Sequence, residues 1–238
     1  MNFKDLLKKR LASKKPLLAV LIDPDKFNLE VVKLANKTNV ACFLVGGSEL
    51  LKSNITTTIL KIKKNSKIPV ILFPGNETQL SKHADGLLLL SLLSGNNPDY
   101  LIGKHVIAAP MIKKMKLAYL PTAYLLIDGG SLSTTQIVTG TQPLDPKNKT
   151  LIINTSIAAE QLGFKAIYLE AGSGAKNSVP TALIKHIKKE IMLPIIVGGG
   201  INSKQKVQQL LNAGANMIVI GNALEKNVFL LSEISTCF

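Results

Sequence analysis

The sequence contains no tryptophan, two cysteines and a single arginine. Cys42 and Cys237 lie far apart, and Cys42 sits in an apolar run. A disulfide scaffold and a cysteine-rich zinc module are therefore excluded. A reduced, cytoplasmic protein is the expectation. Aromatics make up 5% of the chain, too few to advertise a base-stacking surface. Nor is there a long apolar run. Gly86–Leu93 and Leu101–Ile112 are separated by Asn, Pro and Asp, and fall short of the roughly 18 residues that suggest a membrane span. The first apolar run, Leu17–Ile22, stops at Asp23 and is too short for the core of a signal peptide.

Acidic residues are scarce as well. Lys+Arg number 29 and Asp+Glu 15, so the net charge is +14. Arg10 is the sole arginine, whereas sequence-specific nucleic-acid readers rely on arginine's two-pronged contacts. No nucleic-acid partner is expected. The lysines gather in groups such as Lys61, Lys63, Lys64, Lys67 and Lys185, Lys188, Lys189, at expected helix ends where cations suit the dipole. The plain interpretation is a solvated lysine surface. The sharper one is attraction to anionic ligands or to an anionic membrane surface.

What the sequence does have is apolar segments. Hydrophobic residues make up 46%, which excludes a disordered chain. Short, nearly continuous apolar runs recur at Leu17–Ile22, Val40–Val45, Pro69–Phe73, Gly86–Leu90, Ala123–Ile127, Ala166–Leu169, Pro194–Val197 and Asn216–Ile220. Parallel strands covered on both faces look like this. Eight of them with helices between imply α/β architecture: one modified (β/α)8 TIM barrel filling residues 1–238 as a single domain. Helices are expected at 28–38, Leu151–Leu162, Thr181–Ile191, Ser203–Asn212 and Asn222–Ser232. The third crossover has only Glu77–Ala84 available, so its helix should be short or missing. The stretch Asp128–Thr150, with its β-rich Thr134–Thr139, is expected to form a hairpin extension.

In such a barrel the chemistry gathers at the C-terminal ends of the strands. Strand one ends Asp23-Pro24-Asp25-Lys26, which suits either Mg²⁺ shared with substrate phosphates or a helix-capping turn. Strand two ends Gly46-Gly47-Ser48, a phosphate or metal contact or an N-cap. The leucine-rich segment after strand four could line an apolar groove or belong to the core. Strand six ends Tyr168-Leu169-Glu170-Ala171-Gly172-Ser173-Gly174. A carboxylate there, followed by glycines and a serine, combines a possible general base with a backbone anion cradle. Glycine turns at Gly198-Gly199-Gly200 and Gly221-Asn222, each opening a helix, match the phosphate site of barrel enzymes.

These motifs, in this order and through almost the whole chain, resemble the geranylgeranylglyceryl phosphate synthase family, whose bacterial relatives are included. Tyr-Leu-Glu-Ala-Gly-Ser-Gly is the most distinctive match. The resemblance implies a modified barrel with a degenerate third helix. It implies transfer of a geranylgeranyl group from its diphosphate to the 3-hydroxyl of sn-glycerol 1-phosphate, with Mg²⁺. By motif match, Asp23 and Ser48 would be the metal positions. Tyr168, Leu169, Glu170, Ala171, Gly172, Ser173, Gly174, Gly198, Gly199, Gly221 and Asn222 would hold glycerol 1-phosphate. Glu170 and Tyr168 are the candidate catalytic residues, and Tyr100 the candidate ruler of prenyl length. A homo-oligomer, dimer or larger, and a transient membrane-surface contact for the lipid product complete the expectations. The rival is another phosphate-binding barrel, an isomerase or synthase of amino-acid or cofactor metabolism.

Overall fold

The structure, a computed structural model, describes residues 15–48, 50 and 53–238; Arg10 lies outside them. Eight parallel strands close into a barrel in chain order. They are β1 (Leu17–Ile22), β2 (Val40–Val45), β3 (Val70–Leu72), β4 (Gly86–Leu92), β5 (Tyr119–Leu126), β6 (Ala166–Glu170), β7 (Ile195–Gly198) and β8 (Met217–Ile220). β8 pairs with β1 and closes the ring, with Leu18 opposite Ile218 and Val20 opposite Ile220.

Strand residues alternate between two cores, as a period of two requires. Leu17, Ala19, Cys42, Leu44, Ile71, Tyr124, Leu126, Tyr168, Ile196 and Val219 form one cluster and fill the lumen. Leu18, Val20, Phe43, Val45, Leu125, Ile167, Leu169 and Val197 belong to the other, between sheet and helices. The outer layer comprises α1 (Leu29–Ala35), α2 (Ile55–Asn65), α3 (Lys104–Met115), α4 (Thr134–Thr139), α5 (Lys149–Gln161), α6 (Thr181–Glu190), α7 (Lys204–Asn212), α8 (Asn222–Lys226) and α9 (Leu230–Ser235). A π-helical turn, Asp99–Gly103, leads into α3. Among the described residues no helix is long and apolar enough to cross a membrane.

Three departures from the sequence-based expectations have local causes. β5 begins at Tyr119 rather than Ala123, because β4 offers Leu87 and Leu88 as partners for Tyr119 and Leu120. The expected hairpin at 134–139 is the helix α4 instead. Ser133 Oγ accepts from Gln136 N at 3.1 Å, and Gly140 closes the helix at φ +63°. A cap at each end outweighs the β preference of Thr and Val. The helix expected over Asn222–Ser232 is broken into α8 and α9. Asn227 is extended, and its side chain accepts from Phe229 N at 3.0 Å, a local turn that competes with helix.

No helix joins β3 to β4. The connecting loop is pinned by the buried Gln79, whose Nε2 donates to Gly47 O at 2.8 Å and whose Oε1 accepts from Gly75 N at 3.2 Å. A crossover without a helix leaves part of the sheet's outer face uncovered. An apolar groove of about 110 Å³ opens there, lined by Leu80, Leu87, Leu89, Tyr100, Ala108 and Ile112 among others.

Candidate active site

A cavity of about 300 Å³ occupies the C-terminal mouth of the barrel. It is lined by Asp23 and Lys26 after β1, Gly46–Ser48 after β2, Tyr168, Glu170, Ser173 and Gly174 from β6 and its turn, Gly199–Asn202 after β7, and Gly221–Ala223 after β8. Gly47, Ser48, Phe73, Tyr124 and Thr135 line both this cavity and the apolar groove, so the two adjoin.

Strand alternation decides which part of the β6 motif faces the cavity. Tyr168 and Glu170 face inward. Leu169 and Ala171 pack outward in the layer beneath the helices, so they can offer a ligand only backbone. Glu170 is 6% exposed and its Oε1 accepts from Gly172 N at 2.8 Å. Burial pushes its carboxyl up to about 7. The Gly172 N–H and the nearby Tyr168 hydroxyl act the other way, and burial outweighs them. The Tyr168 hydroxyl is buried and lacks a well-formed hydrogen bond. The Tyr168 ring stacks on Tyr124 at 5.3 Å and tilts against Phe73 at 5.2 Å. Burial, followed by the Glu170 charge, raises the Tyr168 hydroxyl well above its ordinary range.

Glycine is required beneath this pair. A Cβ on Gly198 would strike the Tyr168 hydroxyl and lie 2.7 Å from Glu170 Oε2. Gly199, at φ +82°, would place a Cβ against Glu170 Oε1 and 2.7 Å from Gly172 N. Gly198 therefore supports the pair from behind, while Gly199 reaches the cavity. The turns after β6 and β8 are tied together by Ser173 Oγ donating to Asn222 Oδ1 at 2.7 Å. No protein acceptor among the described residues takes the N–H groups of Ser173, Gly174, Gly199, Gly200, Ile201 or Asn222. Backbone donors left open around one cavity form an anion cradle.

At the other side of the mouth, Asp23 caps the short turn Pro24–Lys26, its Oδ1 accepting from Asp25 N at 2.9 Å. Burial, the foremost cause, raises its carboxyl above the ordinary value, against the pull of that N–H and of Lys26. Asp25 points elsewhere: its Oδ1 accepts from Ser53 N at 2.7 Å and secures the approach to α2. Lys26 pairs with Glu225 at 3.1 Å. Ser48 Oγ lies 3.2 Å from Thr135 Oγ1. Among the described residues no group of three or more His, Cys, Asp and Glu gathers as a ready-made metal cage.

The mouth thus brings together most of the residues singled out from sequence. Of that set, Leu169, Ala171, Gly172 and Gly198 are absent from the cavity lining. Thr134 and Thr135 line it without having been singled out. The signal for the two threonines was the pair of caps, Ser133 and Gly140. Tyr100 lines the groove, its hydroxyl donating to Val138 O at 3.3 Å, and Lys104 reaches across it to Glu77 at 2.8 Å.

A model described as the PcrB family matches residues 9–236. Similar curated proteins include the geranylgeranylglyceryl phosphate synthase of Spirosoma linguale, 45% identical over 222 residues, 92% of this chain and 89% of that protein. The enzyme of the same name from Methanosphaera stadtmanae is 40% identical over 95% of this chain and 93% of its own. Among solved structures, (S)-3-O-geranylgeranylglyceryl phosphate synthase from Thermoplasma acidophilum, in complex with its substrate sn-glycerol-1-phosphate, superposes with a TM-score of 0.92. It is 31% identical and covers 100% of this chain and 98% of that one. N-acetylmannosamine-6-phosphate 2-epimerase from Clostridium perfringens, at 19% identity and a TM-score of 0.57, shares the fold alone.

Proposed function

The chain belongs to the PcrB family, and from that premise we propose that it is a prenyltransferase joining a geranylgeranyl group to the 3-hydroxyl of sn-glycerol 1-phosphate. One observation carries the reading: a buried carboxyl near neutrality, Glu170, lines a cavity that holds a cradle of open backbone donors and adjoins an apolar groove. An isomerase or synthase of small phosphates needs the cradle but has no use for the groove.

The chemistry follows from this arrangement. The phosphate of glycerol 1-phosphate sits on the turns after β6, β7 and β8, which bring N–H groups and the N-terminus of α8. Its 3-hydroxyl then lies toward Glu170. The prenyl chain runs down the groove past Leu87 and Leu89, with Tyr100 limiting its length, and the diphosphate lies near Asp23. The allylic carbon–oxygen bond breaks, and its electron pair leaves with the diphosphate. The glycerol oxygen bonds to the allylic carbon, and its proton passes to Glu170. A carboxyl titrating near 7 is matched to that task at neutral pH. The Gly172 N–H holds the carboxyl in place, and Tyr168, raised well above its ordinary range by burial, stays protonated.

Asp23 and Ser48 offer a hard cation one carboxylate and one hydroxyl. This donor set fits Mg²⁺, which is commonly held by one or two carboxylates and completed by substrate phosphates. When bound, Mg²⁺ would offset the charge of the diphosphate and make it a better leaving group.

The test is incubation with Mg²⁺, radiolabelled sn-glycerol 1-phosphate and a ladder of prenyl diphosphates. Label should move into the organic phase, fastest with the geranylgeranyl donor. Label that stays in the aqueous phase with every donor overturns the proposal.

A further inference from the structure

The turn after β7 has a lysine behind it. Lys206 is half-buried in the first turn of α7, and its Nζ donates to Gly200 O at 3.1 Å. It does not line the cavity. Its partner peptide does. Ile201 is 5% exposed, with its side chain packed outward in the helix-facing core, so it meets the cavity through its backbone. Among the described residues no peptide is cis. In a trans peptide the carbonyl and the N–H point in opposite directions. The Gly200 carbonyl faces Lys206, so the Ile201 N–H of the same peptide points away from it, on a residue that lines the cavity, and has no protein acceptor among the described residues.

A cation bonded to a carbonyl polarises the whole peptide and strengthens the hydrogen bond its N–H can make. The local charges support a role of this kind. The first turn of α7 contains Lys204 and Lys206 and no acidic residue. Positive charge at a helix N-terminus opposes the helix dipole. Ser203 caps that turn, its Oγ accepting from Lys206 N at 3.3 Å, so α7 does not need Lys206 for its start. An anion on the neighbouring turn reverses the sign of the local field and makes the lysine favourable.

We propose that Lys206 is a positioning residue for the acceptor's phosphate, acting through the Gly200–Ile201 peptide rather than by contact. The inference rests on the reading that the cradle holds glycerol 1-phosphate. The experiment compares wild type with Lys206→Met, Lys206→Gln and Lys206→Arg. It uses calorimetry with sn-glycerol 1-phosphate and with inorganic phosphate, thermal melts with and without each, and steady-state kinetics.

Lys206→Met should weaken binding of both anions by about tenfold, or 1.4 kcal/mol. It should raise KM for glycerol 1-phosphate, with KM for the prenyl diphosphate and kcat changed less than about twofold. Arginine should restore binding, while glutamine, a neutral donor, should not. Without ligand, Lys206→Met should melt no lower than wild type, and phosphate should raise its melting temperature less. Two results overturn the inference alone: unchanged binding in Lys206→Met, or a lower melting temperature without ligand together with full rescue by glutamine, which marks a structural brace. Wild type that binds inorganic phosphate but not glycerol 1-phosphate overturns the substrate reading and leaves Lys206 to be judged on phosphate. Wild type that binds neither overturns both.

Discussion

At the scale of single residues, Glu170 is a buried carboxyl that the proposed reaction uses as its base. Its carboxyl titrates at about 7 instead of 4.5 because it is buried. Glu170→Gln keeps the shape and loses the basicity, so kcat should fall by roughly 10²–10⁴, with glycerol 1-phosphate binding changed far less. Wild-type turnover should rise with pH through an apparent value near 7. Stability should move the opposite way. Between 4.5 and 7 the folded state holds a proton that the unfolded state has released, so Glu170 makes the fold less stable as pH rises through that window. At pH 8 the whole cost is present, and Glu170→Gln should be more stable by up to about 3 kcal/mol. The difference should vanish below pH 4.5. Urea melts at the two extremes read it directly. Equal stability at both would mean that Glu170 ionises freely.

Asp23 and Asp25 make a paired test at the same scale. Asp25 is engaged by Ser53 N, while Asp23 lines the cavity. Asp23→Asn should abolish Mg²⁺-dependent turnover and leave glycerol 1-phosphate binding nearly intact. Asp25→Asn, which retains an acceptor for Ser53, should stay active. A Mg²⁺ titration of both variants, with calorimetry, separates the two. The reverse ranking would show that the wrong carboxylate had been named.

At the scale of elements, the glycine turns carry the site, and each glycine's surroundings set its tolerance. Gly199→Ala would drive a methyl group into Glu170 Oε1 and the Gly172 amide, on top of a positive φ. It should displace the base and cost kcat at least tenfold (roughly 1.4 kcal/mol of barrel-mouth geometry). Gly163 shares the positive φ, at +84°, but has nothing within 4 Å. Gly163→Ala should cost only backbone strain, about 1–2 kcal/mol, and leave turnover unchanged. Melts and kinetics on the two variants separate strain from collision.

What could be foreseen also divides at this scale. The strands were legible because each is a short apolar run covered on both faces, and β1 and β2 fall on the expected bounds. The thin third crossover was legible because no helical period fits between Glu77 and Ala84. α4 was missed because Thr-Thr-Gln-Ile-Val-Thr favours strand, and its two caps outvote that preference. The break at Asn227 depends on one side chain competing for a neighbour's N–H. The bonds from Gln79 to Gly47 and from Lys206 to Gly200 O depend on the finished fold, and no sequence pattern announces them.

At the scale of the whole molecule, barrel closure sorts the anion cradle, the Asp23 carboxylate and the apolar groove into different sectors of one mouth. The cradle belongs to β6, β7 and β8, the carboxylate Asp23 to β1, and the groove to β3, β4 and α3. Glu170 lines the mouth cavity, which adjoins the groove. With phosphate fixed on one side and the base fixed on another, only one mirror form of glycerol phosphate can present its primary hydroxyl to Glu170. The decisive measurement is therefore the rate of label transfer from sn-glycerol 1-phosphate and from its 3-phosphate enantiomer, with geranylgeranyl diphosphate and Mg²⁺ at the same concentrations. Strong preference for the 1-phosphate, with the labelled ether as product, is the expected result. Equal rates with both enantiomers, or no ether from either, would contradict it.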